Sequence, residues 1–397
     1  MEATDQPGKD SLAICEDVRD RAGRILAATS AFLQAAPPVN ILIVKTSAIG
    51  DVIHTLPSLW SLRAHFPDAQ ITWLVEESAA DLLYGHPALN RVLVARRKTW
   101  LNDARAGRPS RALRGILQFI RQLRDTRYDL IIDFQGLIKS AIWVALAKGG
   151  RKVGFGRGME HAEHSYLVLN ERLPAVDMNH HAIDRSLLLL KGIGVPAADL
   201  RYTIPVSAAQ ESEAGTLLLT AGVREGDRLV AINPMGRWPT KLWEPASFAA
   251  LADRLQREGL SIVFTGGPHD HTALDEICRL MTSRCRRLDG KTSLNTLAAI
   301  YRRAEVLVTT DSGPMHLAAA VGTSVVALFG PTAPWRTGPY GANHVVLRAD
   351  VSCSPCFKKQ CSTTVYEERA CMKRLTVEDV TRAVLEKISA PPLAASK

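Results

Sequence analysis

Short runs of Ile, Val and Leu alternate along this chain with longer stretches whose apolar residues recur at helical spacing. Asn40–Lys45, Ile71–Val75, Arg91–Ala95, Asp129–Phe134 and Lys152–Phe155 read as strands, with helical stretches such as Leu56–His65 and Arg111–Arg124 between them. A second series repeats the pattern: strands at Arg228–Asn233, Ser261–Thr265, Glu305–Thr310, Ser324–Phe329 and His344–Leu347, helices at Phe248–Glu258 and Leu294–Arg303. Alternation of this βαβ kind predicts a parallel sheet wrapped by helices. Two doubly wound α/β units are expected, each of ordinary domain size. The break falls near Val195–Val206, where Pro196 and Pro205 bracket a polar stretch. The expected division is an extension at 1–38, with one helix at most, then units at 39–200 and 201–390, and a tail at 391–397. The last helix, Thr376–Ile388, opens with Thr and carries Glu378 and Asp379 in its first turn, a good start signal.

Two such units facing each other leave a cleft between strand carboxyl ends, and two polar turns open onto it. The first, Lys45-Thr46-Ser47-Ala48-Ile49-Gly50-Asp51, follows the first strand. Gly50 lets the backbone turn tightly, and Asp51 stands where a helix begins. A carboxylate there either removes a proton from an attacking hydroxyl or caps the helix. Lys45 is either an anion contact or a solvated strand end. The second turn, Asp311-Ser312-Gly313-Pro314-Met315-His316, follows Glu305–Thr310. Free backbone N–H groups, a helix dipole and the cation of a charged His would meet at one spot, which suits a diphosphate. Asp311 and Ser312 beside it suit the hydroxyls of a sugar.

Composition narrows the field only a little. The chain has 397 residues, 46% hydrophobic and 22% charged, with a formal charge of +9. It is an ordinary globular chain with room for two cores. The positive excess suits an anionic partner: nucleic acid, a phospholipid surface or a phosphorylated small molecule. No run of about 18 uncharged apolar residues suggests a transmembrane helix. Met-Glu-Ala-Thr-Asp is no secretory signal, so a cytosolic protein with reduced thiols is expected. Of seven Cys, Cys15, Cys278 and Cys285 are scattered and read as structural thiols.

The segment Ile41–Pro57, reading ILIVKTSAIGDVIHTLP, closely resembles the opening strand and loop of glycosyltransferase family 9, the ADP-heptose transferases, in its lipopolysaccharide heptosyltransferase I branch. Tyr128–Ala141, YDLIIDFQGLIKSA, resembles a second motif of that family. Lys241-Leu242-Trp243 and Asp311–Leu317 resemble its donor-side motifs. The four stand in the family's order between about Asn40 and Ala390, which is specific where a single Gly-rich turn is not.

The resemblance implies the GT-B fold, two facing Rossmann-like domains with a cleft between, the first for the acceptor and the second for ADP-heptose. It implies inverting transfer of heptose from ADP-heptose to Kdo (3-deoxy-octulosonic acid) on lipid A, at the cytoplasmic face of the bacterial inner membrane. It makes Asp51 the general base, Lys241 the diphosphate contact and Asp311 the holder of heptose hydroxyls, with Ser312, Gly313 and His316 along the phosphates. The leaving ADP develops negative charge, which Lys and helix N–H groups can stabilise, so no cofactor is required for catalysis. Read alone, Lys241 would be a surface lysine beside Trp243, and His316 a histidine packed on the sheet. Asp270, in Gly266-Gly267-Pro268-His269-Asp270, is either a ribose contact, as the resemblance implies, or a helix cap. Gln135 and Lys139, with Ser47 and Gly50, either shape the acceptor pocket or fix the loop of Asp51.

The basic stretch Arg96-Arg97-Lys98, continued by Arg105, Arg108, Arg111 and Arg114, suits the carboxylates and phosphates of the implied acceptor, or is a solvated face. Cys353, Cys356, Cys361 and Cys371 form a C-x2-C-x4-C-x9-C cluster whose first pair has knuckle spacing. It is read as a structural Zn or Fe site or as a set of reduced thiols. The cluster and the turn Asn233–Arg237 depart from the plainest heptosyltransferase I pattern, which puts the acceptor in question. Alternatives are a transferase of the same fold acting on a second core heptose or a protein, and a nucleotide-sugar epimerase. A nucleic-acid binder lacks any recognisable signature, and no G-x-G-x-x-G follows the first strand to favour an oxidoreductase.

Overall fold

The computed structural model describes residues 40–160 and 163–389. The extension at 1–38, Cys15 and the tail at 391–397 lie outside them. The first unit is a six-stranded parallel sheet with β1 (Asn40–Val44), β2 (Gln70–Glu76), β3 (Arg91–Ala95), β4 (Tyr128–Asp133), β5 (Gly149–Phe155) and β6 (Glu171–Leu173) in the order β3-β2-β1-β4-β5-β6. The second has β7 (Leu229–Asn233), β8 (Ser261–Phe264), β9 (Val306–Thr310), β10 (Ser324–Phe329) and β11 (His344–Arg348) in the order β11-β10-β9-β7-β8. The central strands are apolar along their length because helices cover both faces: Ile41 to Val44 and Val306 to Val308 are all fully buried.

Each order reverses once. In the first sheet the reversal lies between β1 and β4, in the second between β7 and β9. At such a point the loops leaving neighbouring strands diverge to opposite faces and open a crevice at the carboxyl ends, the usual ligand position in doubly wound sheets. Both polar turns of the sequence stand at these reversals.

The units meet through helix Ile49–His65 of the first and helix Gly313–Ala320 of the second, which pack on each other. One apolar cluster runs across the junction, holding Leu56 and Leu83 with Ala298 and Leu317. Polar contacts tie the rim: Asn295 Nδ2 donates to the Asp81 carbonyl at 2.9 Å, Arg336 pairs with Glu160 at 2.9 Å, and Tyr340 donates to Asp184 at 2.8 Å.

Two expectations about cysteine are corrected. Cys278 and Cys285 are not separate reduced thiols but a disulfide, their Cα atoms 5.5 Å apart where the chain leaves helix His271–Leu280. Nor do Cys353, Cys356, Cys361 and Cys371 support the Zn or Fe reading, since no metal-holding group of His, Cys, Asp or Glu occurs among the described residues. Cys356 is exposed whereas Cys371 is buried in the second unit's core, and Cys361 Sγ accepts the Arg369 N–H at 3.3 Å.

Candidate active site

The loop after β1 is held by the loop after β4. Gln135 Oε1 accepts from the N–H of Thr46 and of Ser47, each at 3.1 Å, and from Thr46 Oγ1 at 3.3 Å. Lys139 Nζ donates to Ser47 Oγ. Lys45 is buried at the end of its strand and donates to the Phe134 carbonyl at 3.0 Å, so it is no solvated strand end. Asp133 anchors the second loop in turn, accepting from Gln135 N at 2.9 Å, Gly136 N at 3.1 Å and Ser140 Oγ at 3.0 Å. Burial pushes its carboxyl upward, against the pull of these donors.

Asp51 occupies the first turn of helix Ile49–His65, and its Oδ2 accepts the Ala48 N–H at 2.9 Å. It is thus a capping carboxylate by geometry. It also lines a cavity of about 350 Å³. Lys45, Gln135 and Met178 share that wall, together with Arg185 from helix Ala182–Gly192.

At the second reversal Lys241 and Asp311 form an ion pair of 2.6 Å, nearly buried on both sides. Thr332 Oγ1 donates to the same Asp311 oxygen at 2.7 Å, and the ammonium sits 4.6 Å from the centre of the Trp238 ring. Ser312, Gly313 and Pro314, at the start of helix Gly313–Ala320, are partly open to solvent. Asp270 precedes helix His271–Leu280 and binds its own loop, accepting the Gly267 N–H at 2.7 Å without capping the helix by its side chain.

His316 is the residue that the resemblance puts along the phosphates. It faces the first unit, where its Nδ1 lies 3.0 Å from His54 Nε2. A Cβ on Gly50 would stand 2.4 Å from His316 Cδ2, so the glycine in the first polar turn is where the two units touch. Burial pushes His316 down to about 4. His54 is lowered well below 6.5, first by burial and then by His316 and His181.

In the basic stretch, Arg97 is committed to the buried carboxylate of Glu76 at 3.0 Å, while Arg96 and Lys98 are exposed. Sequence reasoning missed three groups at the cleft: His54, Asp133 and Arg185. Asp133 lies inside a motif that drew attention for Gln135 and Lys139. Arg185 had one signal, a lone Arg before the apolar run Leu187–Leu190.

Two parallel-sheet units, each with a polar loop at its reversal point and both loops on one cleft, define the GT-B class of glycosyltransferases. The sequence pattern of glycosyltransferase family 9 (heptosyltransferase) matches residues 116–367. Lipopolysaccharide heptosyltransferase 1 of Pseudomonas aeruginosa is 32% identical over 332 residues, 83% of this chain and 89% of that protein. Lipopolysaccharide heptosyltransferase 2 of Salmonella typhimurium is 28% identical over 320 residues, covering 78% and 88%. The structure of E. coli heptosyltransferase WaaC with ADP matches with a TM-score of 0.69 at 26% identity, covering 88% of this chain and 99% of that one. The chain belongs to glycosyltransferase family 9, the heptosyltransferases.

Proposed function

We propose that this enzyme, a heptosyltransferase of lipopolysaccharide-core biosynthesis, moves heptose from ADP-heptose to the Kdo of a Kdo-lipid A acceptor. The observation that carries the reading is the meeting of the two reversal-point loops, Gly50 against His316, with Asp51 on the cavity wall and the Lys241–Asp311 pair across the cleft. The acceptor sugar enters the cavity, where Lys45 and Arg185 offer positive charge to its carboxylate. Asp51 takes the proton of the attacking hydroxyl as that oxygen bonds to the sugar carbon from the face opposite the leaving group, which inverts it. The bond from that carbon to the diphosphate breaks, and ADP leaves with the electron pair. Lys241 and the N–H groups at the start of helix Gly313–Ala320 stabilise the charge on the departing diphosphate. Asp311 holds Lys241 in place until the donor arrives and then shares its carboxylate with heptose hydroxyls; Asp270 is placed at the ribose.

A lipid-linked acceptor puts the reaction at a membrane surface, which in a bacterium is the cytoplasmic face of the inner membrane. No helix among the described residues is long and apolar enough to cross a membrane. The test is incubation with ADP-heptose and either Kdo-lipid A or its singly heptosylated product. The expected result is ADP release with a mass gain of one heptose on Kdo-lipid A. Transfer only to the heptosylated acceptor would move the enzyme to a later step, and transfer to neither would remove the assignment.

A further inference from the structure

Helices Arg97–Arg105, Pro109–Arg124 and Ile138–Leu146 lie side by side over one face of the first sheet. Their inward rings touch: Trp100 and Phe119 are 5.6 Å apart by ring centres, Phe119 and Trp143 4.9 Å. The outward side is unusual. Leu113 is 57% exposed, Ile138 56% and Leu167, in the following turn, 65%. Leu101, Leu117 and Ile142 are exposed as well. Leu113 and Leu117 are one helical turn apart, as are Ile138 and Ile142, so these side chains form paired ridges and not isolated apolar positions.

Charge along the first two helices is almost all positive. Between Arg96 and Arg124 there are nine Lys and Arg against one acid, Asp103. That acid is buried, and its carboxylate is already paired with Arg108 and Arg111. Arg105, Arg114 and Arg121 are exposed, with no acidic partner among the described residues. Apolar ridges interleaved with uncompensated arginines match an interface whose outer layer is anionic and whose next layer is hydrocarbon.

We propose that this three-helix face docks the enzyme on an anionic lipid bilayer. A second copy of the chain is a poor occupant, since two such faces would oppose like charges. Single-stranded nucleic acid would want exposed aromatic platforms, and Trp100, Phe119 and Trp143 point inward instead. The face also continues into the cavity wall: Leu137 and Ser165 line the cavity, and Ile138 and Leu167 stand on the face. An acceptor anchored by acyl chains can present its sugar to Asp51 without leaving the bilayer. That last step rests on the proposed function; the surface itself does not.

The test uses the full chain and vesicles that contain no sugar acceptor, so its outcome is independent of the transfer assay. Flotation is measured with phosphatidylcholine vesicles and with vesicles containing roughly a third phosphatidylglycerol. The double variants are Leu113→Ser/Leu117→Ser and Arg114→Glu/Arg121→Glu. A control of equal charge change on exposed positions elsewhere is Lys191→Glu/Arg257→Glu. Thermal unfolding of all four proteins should agree, because only exposed side chains change. Binding to anionic but not neutral vesicles is expected, weakened about fivefold or more in both face variants, close to wild type in the control and reduced by salt. Equal loss in the control would overturn the proposal in favour of net charge alone. Full binding by the Leu variant would overturn it in favour of a plain polyanion surface. A dimer in gel filtration that the Leu variant abolishes would give the face to a second copy.

Discussion

The two reversal points solve different problems with the same topology. At the first, between β1 and β4, an uncharged amide does the positioning: Gln135 holds the Asp51 loop through backbone N–H groups, and Asp51 lies beside an open cavity. At the second, between β7 and β9, two opposite charges hold each other, Lys241 on Asp311, with Thr332 closing the set. A rigid loop suits a base that must stand within hydrogen-bond reach of a hydroxyl. A paired lysine suits an anion site, because the carboxylate pre-positions the cation and an arriving diphosphate then shares it. The difference fits the proposed reading, with proton transfer in the first unit and donor binding in the second.

The sharpest way to break that assignment is Asp51→Asn, which keeps the side chain's shape and removes its basicity. Turnover at saturating substrates should fall about 100-fold or more. Near-normal turnover would leave Asp51 as a helix cap only.

Gly50→Ala probes the seam between the units. The new methyl has no room against His316, and overpacking of this kind costs about 1–3 kcal/mol. Urea unfolding should show that loss, and His316→Ala in the same chain should recover part of it. Additive losses in the double variant would mean that the two residues do not meet.

Gln135→Leu removes the acceptor of three hydrogen bonds from the Asp51 loop. Misplacing the base should lower kcat roughly 10-fold with the donor KM unchanged. A change in donor KM with kcat intact would place Gln135 on the donor instead.

A further effect is graded with pH. His316 titrates near 4 when folded, and His86 does the same through burial, against an ordinary value of 6.5. Between these values the unfolded chain binds more protons than the folded one. Stability should therefore fall as pH drops from about 6.5 toward 4, by up to about 1.4 kcal/mol per pH unit for each such histidine. Around His316 the charges that could alter this are Asp311, Asp51, Lys241 and His181. Denaturant midpoints at several pH values measure it, and a flat profile across that window would contradict the burial argument.

The strands were legible because burial on both faces writes itself as unbroken Ile, Val and Leu. All ten expected strands occur, nine within one residue of their expected ends, while β5 starts three residues earlier than expected, at Gly149. The strand missed, β6, has three residues, Glu-Arg-Leu, and pairs only at the sheet edge. Helix Ile49–His65 starts earlier than its apolar spacing suggested, since Asp51 caps from within the first turn and not from before it. Helix Gly313–Ala320 begins inside the second polar turn, at its glycine. Asp51, Lys241 and Asp311 stand out in the sequence by motif and position, and folding puts Asp51 on the cavity wall and Lys241 against Asp311. The contact of His316 with His54 went unseen, because it spans 262 residues of sequence and no local pattern records it. Arg185 and Asp133 went unseen for the same reason: their significance is a wall they share with Asp51, which exists only after folding. The Cys278–Cys285 pair was obscured by an assumption about compartment, not by spacing.

The central claim is the division of labour between the two loops, and calorimetric titration of ADP into two variants tests it most directly. Asp51→Asn should bind ADP as the unaltered enzyme does. Lys241→Ala should bind it about 10- to 100-fold more weakly, the loss of a charge-assisted contact to the diphosphate. Weakened ADP binding in Asp51→Asn, with full affinity in Lys241→Ala, would reverse the assignment of the two units and contradict the account.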